Sequence, residues 1–158
     1  MIEQYEQGKR EILRYTMRIE APAGNIFPLL CPVREYDWIP QWHCRLIYSD
    51  SGYAEPGCVF QTDFGDGFGP EIWVVSEYQP NSCIAFIRTG EHRLTRYRIS
   101  LKSEGDATSL LWCQEITCLT RTGKKLITAL SATGFESTMK KLEQMLTHYL
   151  SQGAMLQL

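Results

Sequence analysis

Residues 108–150 read TSLLWCQEITCLTRTGKKLITALSATGFESTMKKLEQMLTHYL, and the hydrophobic period changes inside this stretch. In its first part Leu110, Trp112, Gln114 and Ile116 alternate with Leu111, Cys113, Glu115 and Thr117, the period of two of a strand with one face in a core. From Lys124 the apolar positions Leu126, Ile127, Leu130, Phe135, Met139, Leu142, Met145, Leu146, Tyr149 and Leu150 recur at three and four. The spacing predicts one amphipathic helix of about 28 residues, roughly 40 Å long at 1.5 Å per residue. Thr122 serves as its expected N-cap and Gly153 as its C-terminal stop.

Working back from that helix, the chain reads as strands. Leu13, Tyr15, Met17 and Ile19 alternate with Arg14, Thr16, Arg18 and Glu20, which predicts a first strand ended by Ala21-Pro22. Ile26, Phe27, Leu29 and Leu30 form an apolar cluster that predicts a brief helix kinked by Pro28, and the segment between Pro32 and Pro40 has room for a second of about two turns. Strands are then expected at 44–49, 58–64, 71–78, 83–89, 93–102 and 108–119, separated by short Gly-, Pro-, Asn- and Asp-rich turns suited to hairpins. A run of strands followed by one long helix is the α+β pattern. The expected fold is a seven-stranded curved antiparallel sheet around a long C-terminal helix, with two short helices after strand 1. A tail over 1–10, a single domain over 11–152 and a tail over 153–158 complete the division.

The composition, 44% hydrophobic and 22% charged over 158 residues, fits one globular core. Sixteen Lys plus Arg against eighteen Asp plus Glu leave a net charge of -2, which lacks the positive field that non-specific nucleic-acid binding requires. No apolar run reaches the roughly 20 residues needed to cross a bilayer, and the N-terminus lacks the order of a signal peptide. A cytoplasmic protein with no stable membrane insertion is expected. Its six cysteines contain no Cys-x-x-Cys pair and read as reduced, packed thiols, so neither a metal nor a cofactor is expected.

The order of elements resembles the helix-grip fold of the START-like superfamily, which includes polyketide cyclases and plant pathogenesis-related allergens of the Bet v 1 type. Ile19-Glu-Ala-Pro-x-x-x-Ile-Phe-x-Leu-Leu30 is similar to its strand-to-helix junction, Trp38-Ile-Pro-Gln-Trp42 to its tryptophan segment, and Pro56-Gly57-Cys58-Val59-Phe60 to its third-strand entry. The likeness runs over roughly residues 11–150. It implies a cavity for an apolar or amphipathic small molecule between sheet and helix. It also implies that a cyclase or dehydratase activity, or a protein-interaction role, is an alternative to binding alone.

Within that frame, Tyr15, Phe60, Trp73, Phe86, Tyr97 and Trp112 are expected to line the cavity, with Phe64 near them and Trp38 and Trp42 at its rim. The two tryptophans serve equally well to pack the short helices. His43 is the acid–base candidate, with Asp37 and Tyr36 beside it, provided that it faces the interior. If Trp112 points inward, so does Gln114; the opposite register would bury Glu115. Arg88 shares the parity of Ile84 and Phe86, so its guanidinium reaches inward to a ligand carboxylate or a protein acid, unless it snorkels at the strand end. Arg96 and Arg98 lie on the opposite face from Tyr97 and read as solvated. Gly65-Asp-Gly-Phe-Gly69 joins two strands and opens no helix, so it fails the condition for a phosphate-binding loop and reads as a flexible lid with Phe68 at its tip.

Overall fold

The computed structural model describes residues 8–157. Most of the tail expected over 1–10 therefore lies outside the described residues, and Arg10 already begins the first strand. Seven strands are described: β1 (Arg10–Ile19), β2 (Arg45–Tyr48), β3 (Val59–Thr62), β4 (Glu71–Gln79), β5 (Cys83–Thr89), β6 (Arg93–Glu104) and β7 (Ala107–Cys118). They form one antiparallel sheet in the order β1-β7-β6-β5-β4-β3-β2. The meander runs from β2 to β7, and β1 joins its far edge by pairing with β7. Register irregularities at Leu46/Tyr48 in β2 and Val75/Glu77 in β4 add local twist and help the sheet bend.

The concave face holds the core, because the alternation along each strand sends one side chain in two toward the helix. On β6, Arg93, Thr95, Tyr97 and Ile99 are buried, and on β7 Leu110, Trp112, Gln114 and Ile116 are buried. Gln114 is thus the inward residue, and Glu115 faces out toward Arg10 and Arg96, at 3.3 and 3.6 Å. After β1 come α1 (Ala23–Ile26), a 3-10 turn over Phe27–Leu30, and a second 3-10 turn over Glu35–Asp37. The second element is shorter than the two turns its length allows, since Pro40 offers no amide proton to carry a helix onward.

The C-terminal helix departs from expectation in two details. It starts earlier, as α2 (Arg121–Ala129), with Thr120 as N-cap: its hydroxyl accepts from the Gly123 amide at 3.0 Å. Thr122 lies inside the first turn instead. The start is held against the β5–β6 turn, where a Cβ on Gly123 would stand 2.1 Å from the His92 carbonyl oxygen. The helix then widens into a π-turn over Leu130–Gly134 before continuing as α3 (Phe135–Gln152), which ends at Gly153 in the left-handed conformation, φ 68°. Gly134 closes that π-turn, and a Cβ there would meet Leu130 of the same helix at 3.3 Å, so the constraint on Gly134 is internal to the helix. Ile127, Phe135, Met139 and Leu146 carry the apolar stripe into the core.

Candidate functional site

Cross-strand register stacks the inward side chains in rows. Phe60, Trp73, Arg88, Thr95 and Ile116 lie opposite one another from β3 to β7. One row along stand Val75, Phe86, Tyr97 and Gln114, and beyond them Tyr78, Ile84, Ile99 and Trp112. The rings form a connected wall across five strands: Phe60 stacks on Trp73 at 5.3 Å, Trp73 meets Phe86 edge-on at 5.6 Å, Phe86 lies 6.5 Å from Tyr97, and Tyr97 lies 6.1 Å from Trp112. These separations are in the range where aromatic pairs attract beyond their area burial.

A charged cluster sits at the end of this wall nearest α2. Glu71, only 2% exposed, receives two hydrogen bonds from Arg93, at 2.8 and 2.7 Å, and the Phe68 ring covers that guanidinium at 3.6 Å. Arg88, 6% exposed, lies with its guanidinium 4.4 Å over Trp73 and donates to Gln114 at 3.3 Å. Its Nε stands 3.7 Å from Glu71, beyond hydrogen-bond reach. Two guanidinium groups thus share one carboxylate, and Arg93 holds it. Burial, then repulsion from Arg93, push Arg88 down to about 10. At roughly 1.4 kcal/mol per unit, its charge costs the folded protein on the order of 3 kcal/mol at neutral pH. Burial likewise drives the Tyr97 phenol upward.

Three buried polar atoms on the inner face have no hydrogen-bond partner among the described residues: Arg88 Nε, Thr95 Oγ1 and Trp112 Nε1. Arg88 and Thr95 are direct cross-strand partners, which places their Cβ atoms about 5 Å apart. Opposite the wall, the 3-10 turn carries Glu35 inward. Burial alone raises its carboxyl well above the ordinary carboxylate range, and the carboxylate in turn raises Tyr97. Glu35 as a whole residue is half-buried.

The structure gathers Phe60, Trp73, Phe86, Arg88, Tyr97, Trp112 and Gln114 on the inner face. Others fall elsewhere. Trp38 is fully buried and donates from Nε1 to the Leu29 carbonyl at 2.8 Å, so it packs the short helices and forms no rim. Trp42 is half-buried, donates to the Pro32 carbonyl at 2.8 Å, and lies 5.7 Å from Phe64, which is exposed. Tyr15 reaches across to α3 and donates to Glu143. The proviso that His43 face the interior is not met: it is exposed, as are Asp37, paired with Arg34 at 2.7 Å, and Tyr36, whose hydroxyl donates to the Cys44 carbonyl at 2.9 Å. Phe68, expected at a lid tip, is buried instead against Arg93.

Glu71, Arg93 and Glu35 were not foreseen. Arg93 shares the parity of Tyr97 and Glu71 that of Trp73, a signal present in the sequence; the direction of Glu35 has none, because a 3-10 turn between prolines does not fix which side faces in. Among the described residues, two of the concavities open to solvent. One of about 180 Å³ lies at the other end of β5, lined by Phe27, Cys31, Arg34, Tyr53, Tyr78 and Ile84. The other, about 610 Å³, is a groove outside the grip between Tyr15 and α3 residues such as Glu143 and His148. The smaller is about the room that accepts one benzene ring.

Against solved structures the chain aligns over nearly its whole length. The Zhui aromatase/cyclase from Streptomyces sp. R1128 matches with a TM-score of 0.68 at 10% identity, covering 94% of this chain and 100% of that one. This chain has the same helix-grip fold. The norcoclaurine synthase from Thalictrum flavum, solved with dopamine and hydroxybenzaldehyde, shares that helix-grip fold with a TM-score of 0.68 at 10% identity, with 96% of each chain covered. DynU16, a protein of the dynemicin biosynthetic locus, matches at 0.63 and 20% identity over 90% of this chain, which spans about half its length, 48%. No family model matches the sequence, and no curated protein does. Among the described residues no helix is long and apolar enough to cross a membrane.

Proposed function

We propose that the protein binds a small amphipathic molecule between the aromatic wall and the C-terminal helix. The observation that carries this reading is the set of three buried polar atoms without partners on one face. A core selected for stability alone satisfies its buried polar groups, since each unpaired one costs about 1–3 kcal/mol. These atoms are closed off from solvent in this structure, so a ligand that pairs with them recovers that free energy only as the side chains covering them part. The rings beside them supply apolar contact for its body, and a molecule reaching from the recess near Ile84 to Arg88 spans about 13 Å at 3.3 Å per residue. A neighbour of this fold, solved with dopamine and hydroxybenzaldehyde, supports the same class. All six cysteines are free thiols, the form kept in a reducing compartment, and a cytoplasmic location belongs to the proposal.

A second reading, a cyclase- or dehydratase-type enzyme, is favoured by one observation: the inward Glu35 carboxyl near Tyr97, protonated well above the ordinary carboxylate range, suits a general acid. His43 takes no part in it. Native mass spectrometry of the purified protein, followed by organic extraction and by thermal shift with aromatic ketones and acids, tests the binding reading. A retained small molecule or a stabilising hit is expected. No adduct together with no shift across the panel would overturn it.

A further inference from the structure

The unpartnered groups share a chemical sign. Arg88 Nε and Trp112 Nε1 are donors only, the Thr95 hydroxyl can donate, and none of the three is an acceptor alone. Around them the charge is unbalanced in the same direction. Arg88 and Arg93 bring two buried positive charges, and Glu71 brings one negative charge that two Arg93 hydrogen bonds already occupy. Gln114 presents its carbonyl oxygen to Arg88, which leaves the amide and not a further acceptor on that side. The neighbouring row offers Tyr97, held as a neutral phenol by its surroundings.

We propose that the head group recognised at this end of the site is a carboxylate, one oxygen accepting from Arg88 Nε and a hydrogen bond from the facing Thr95 hydroxyl completing it. This rests on the interior-binding reading and narrows its ligand to apolar or aromatic carboxylic acids. A planar two-oxygen anion matches the edge of a guanidinium already fixed by its stacking on Trp73. It also neutralises the unshared charge of Arg88, so a neutral ligand of equal shape gains the ring contacts and forgoes the ion pair.

Isothermal titration with two matched probes, biphenyl-4-carboxylate and its uncharged counterpart 4-acetylbiphenyl, separates the two claims. At pH 7.5 the carboxylate is expected to bind at least tenfold more tightly. Arg88→Met should erase that preference while the ketone still binds, and Thr95→Val should reduce it. Equal affinity for both probes would overturn the carboxylate inference and leave interior binding standing; binding of neither would overturn both. Should Arg88→Met fail to fold, the Arg88 Nε–H resonance of ¹⁵N-labelled wild type reads the contact directly. It should move on adding the carboxylate and stay in place with the ketone, and an unmoved resonance in the presence of bound carboxylate would refute the assignment.

Discussion

Glu71 and Arg93 pair through two hydrogen bonds across the mouth of the β5–β6 hairpin, over a residue with no side chain, Gly90. That bridge decides the electrostatics of the whole inner face, because it commits the carboxylate to Arg93 and leaves Arg88 short of a counter-ion. Glu71→Gln keeps the shape and removes the charge, stranding two guanidinium groups in a buried site. A loss of about 3–5 kcal/mol is expected, as for other buried pairs cut on one side. Chemical denaturation checks it; a change below 1 kcal/mol would mean that water already screens the cluster.

Gly90 is required there by contact, not by backbone conformation. A Cβ at that position would sit 2.9 Å from the Pro70 carbonyl oxygen and 3.0 Å from Glu71 Cγ. Since the first neighbour is backbone, it cannot swing away, and Gly90→Ala should cost about 1–3 kcal/mol by overpacking. The same variant should lengthen the Glu71–Arg93 contacts, which a crystal structure of the variant would reveal.

Glu35 predicts a pH dependence of stability. Its carboxyl is raised by burial above the ordinary value of 4.5, so between that value and the raised one the folded protein holds a proton that the unfolded chain has lost. The contribution is fully present below pH 4.5 and is lost as pH rises through the folded value. Wild type should therefore lose stability relative to Glu35→Gln as pH is raised from 4.5 upward. Parallel denaturation curves for the two proteins across pH 5–8 would contradict the inward placement of Glu35.

The architecture was legible because it rests on period. Strands β1, β5, β6 and β7 announced themselves by alternation, β2, β3 and β4 by short runs between turn residues, and the stripe from Leu126 to Leu150 announced the helix. What period does not encode is where a helix widens, so the π-turn at Leu130–Gly134 was invisible; nor does it separate Thr122, the expected N-cap, from Thr120, the observed one, because both precede the same apolar run. The site was partly legible for the same reason. Parity put Arg88 and Gln114 inward; the same parity holds for Arg93 and Glu71, but they stand at strand ends, where charges usually reach water, and so were not foreseen. His43, Asp37 and Tyr36 drew notice by residue type, and type says nothing of direction in a segment that is neither helix nor strand. Trp38 and Trp42 illustrate the point from the other side: both indole nitrogens are spent on backbone carbonyls, those of Leu29 in the first 3-10 turn and of Pro32 just after it.

The shared carboxylate makes a prediction opposite in sign to that for Glu71. Arg88 is the cation without its own partner, its Nε 3.7 Å from Glu71, its charge penalised by burial and by Arg93. Arg88→Met removes a buried charge, keeps most of the aliphatic volume over Trp73, and leaves the Glu71–Arg93 pair intact. The variant without ligand should be as stable as wild type or more stable, by up to about 3 kcal/mol, as found when ions in poorly compensated buried sites are replaced by apolar groups. The double variant Glu71→Gln/Arg88→Met should then lose less than Glu71→Gln alone, since only one guanidinium remains uncompensated. Thermal and urea denaturation of the four proteins forms a complete cycle. A destabilisation by Arg88→Met as large as that of Glu71→Gln would show that Arg88 is a structural member of the ion pair and not a group held ready for something else.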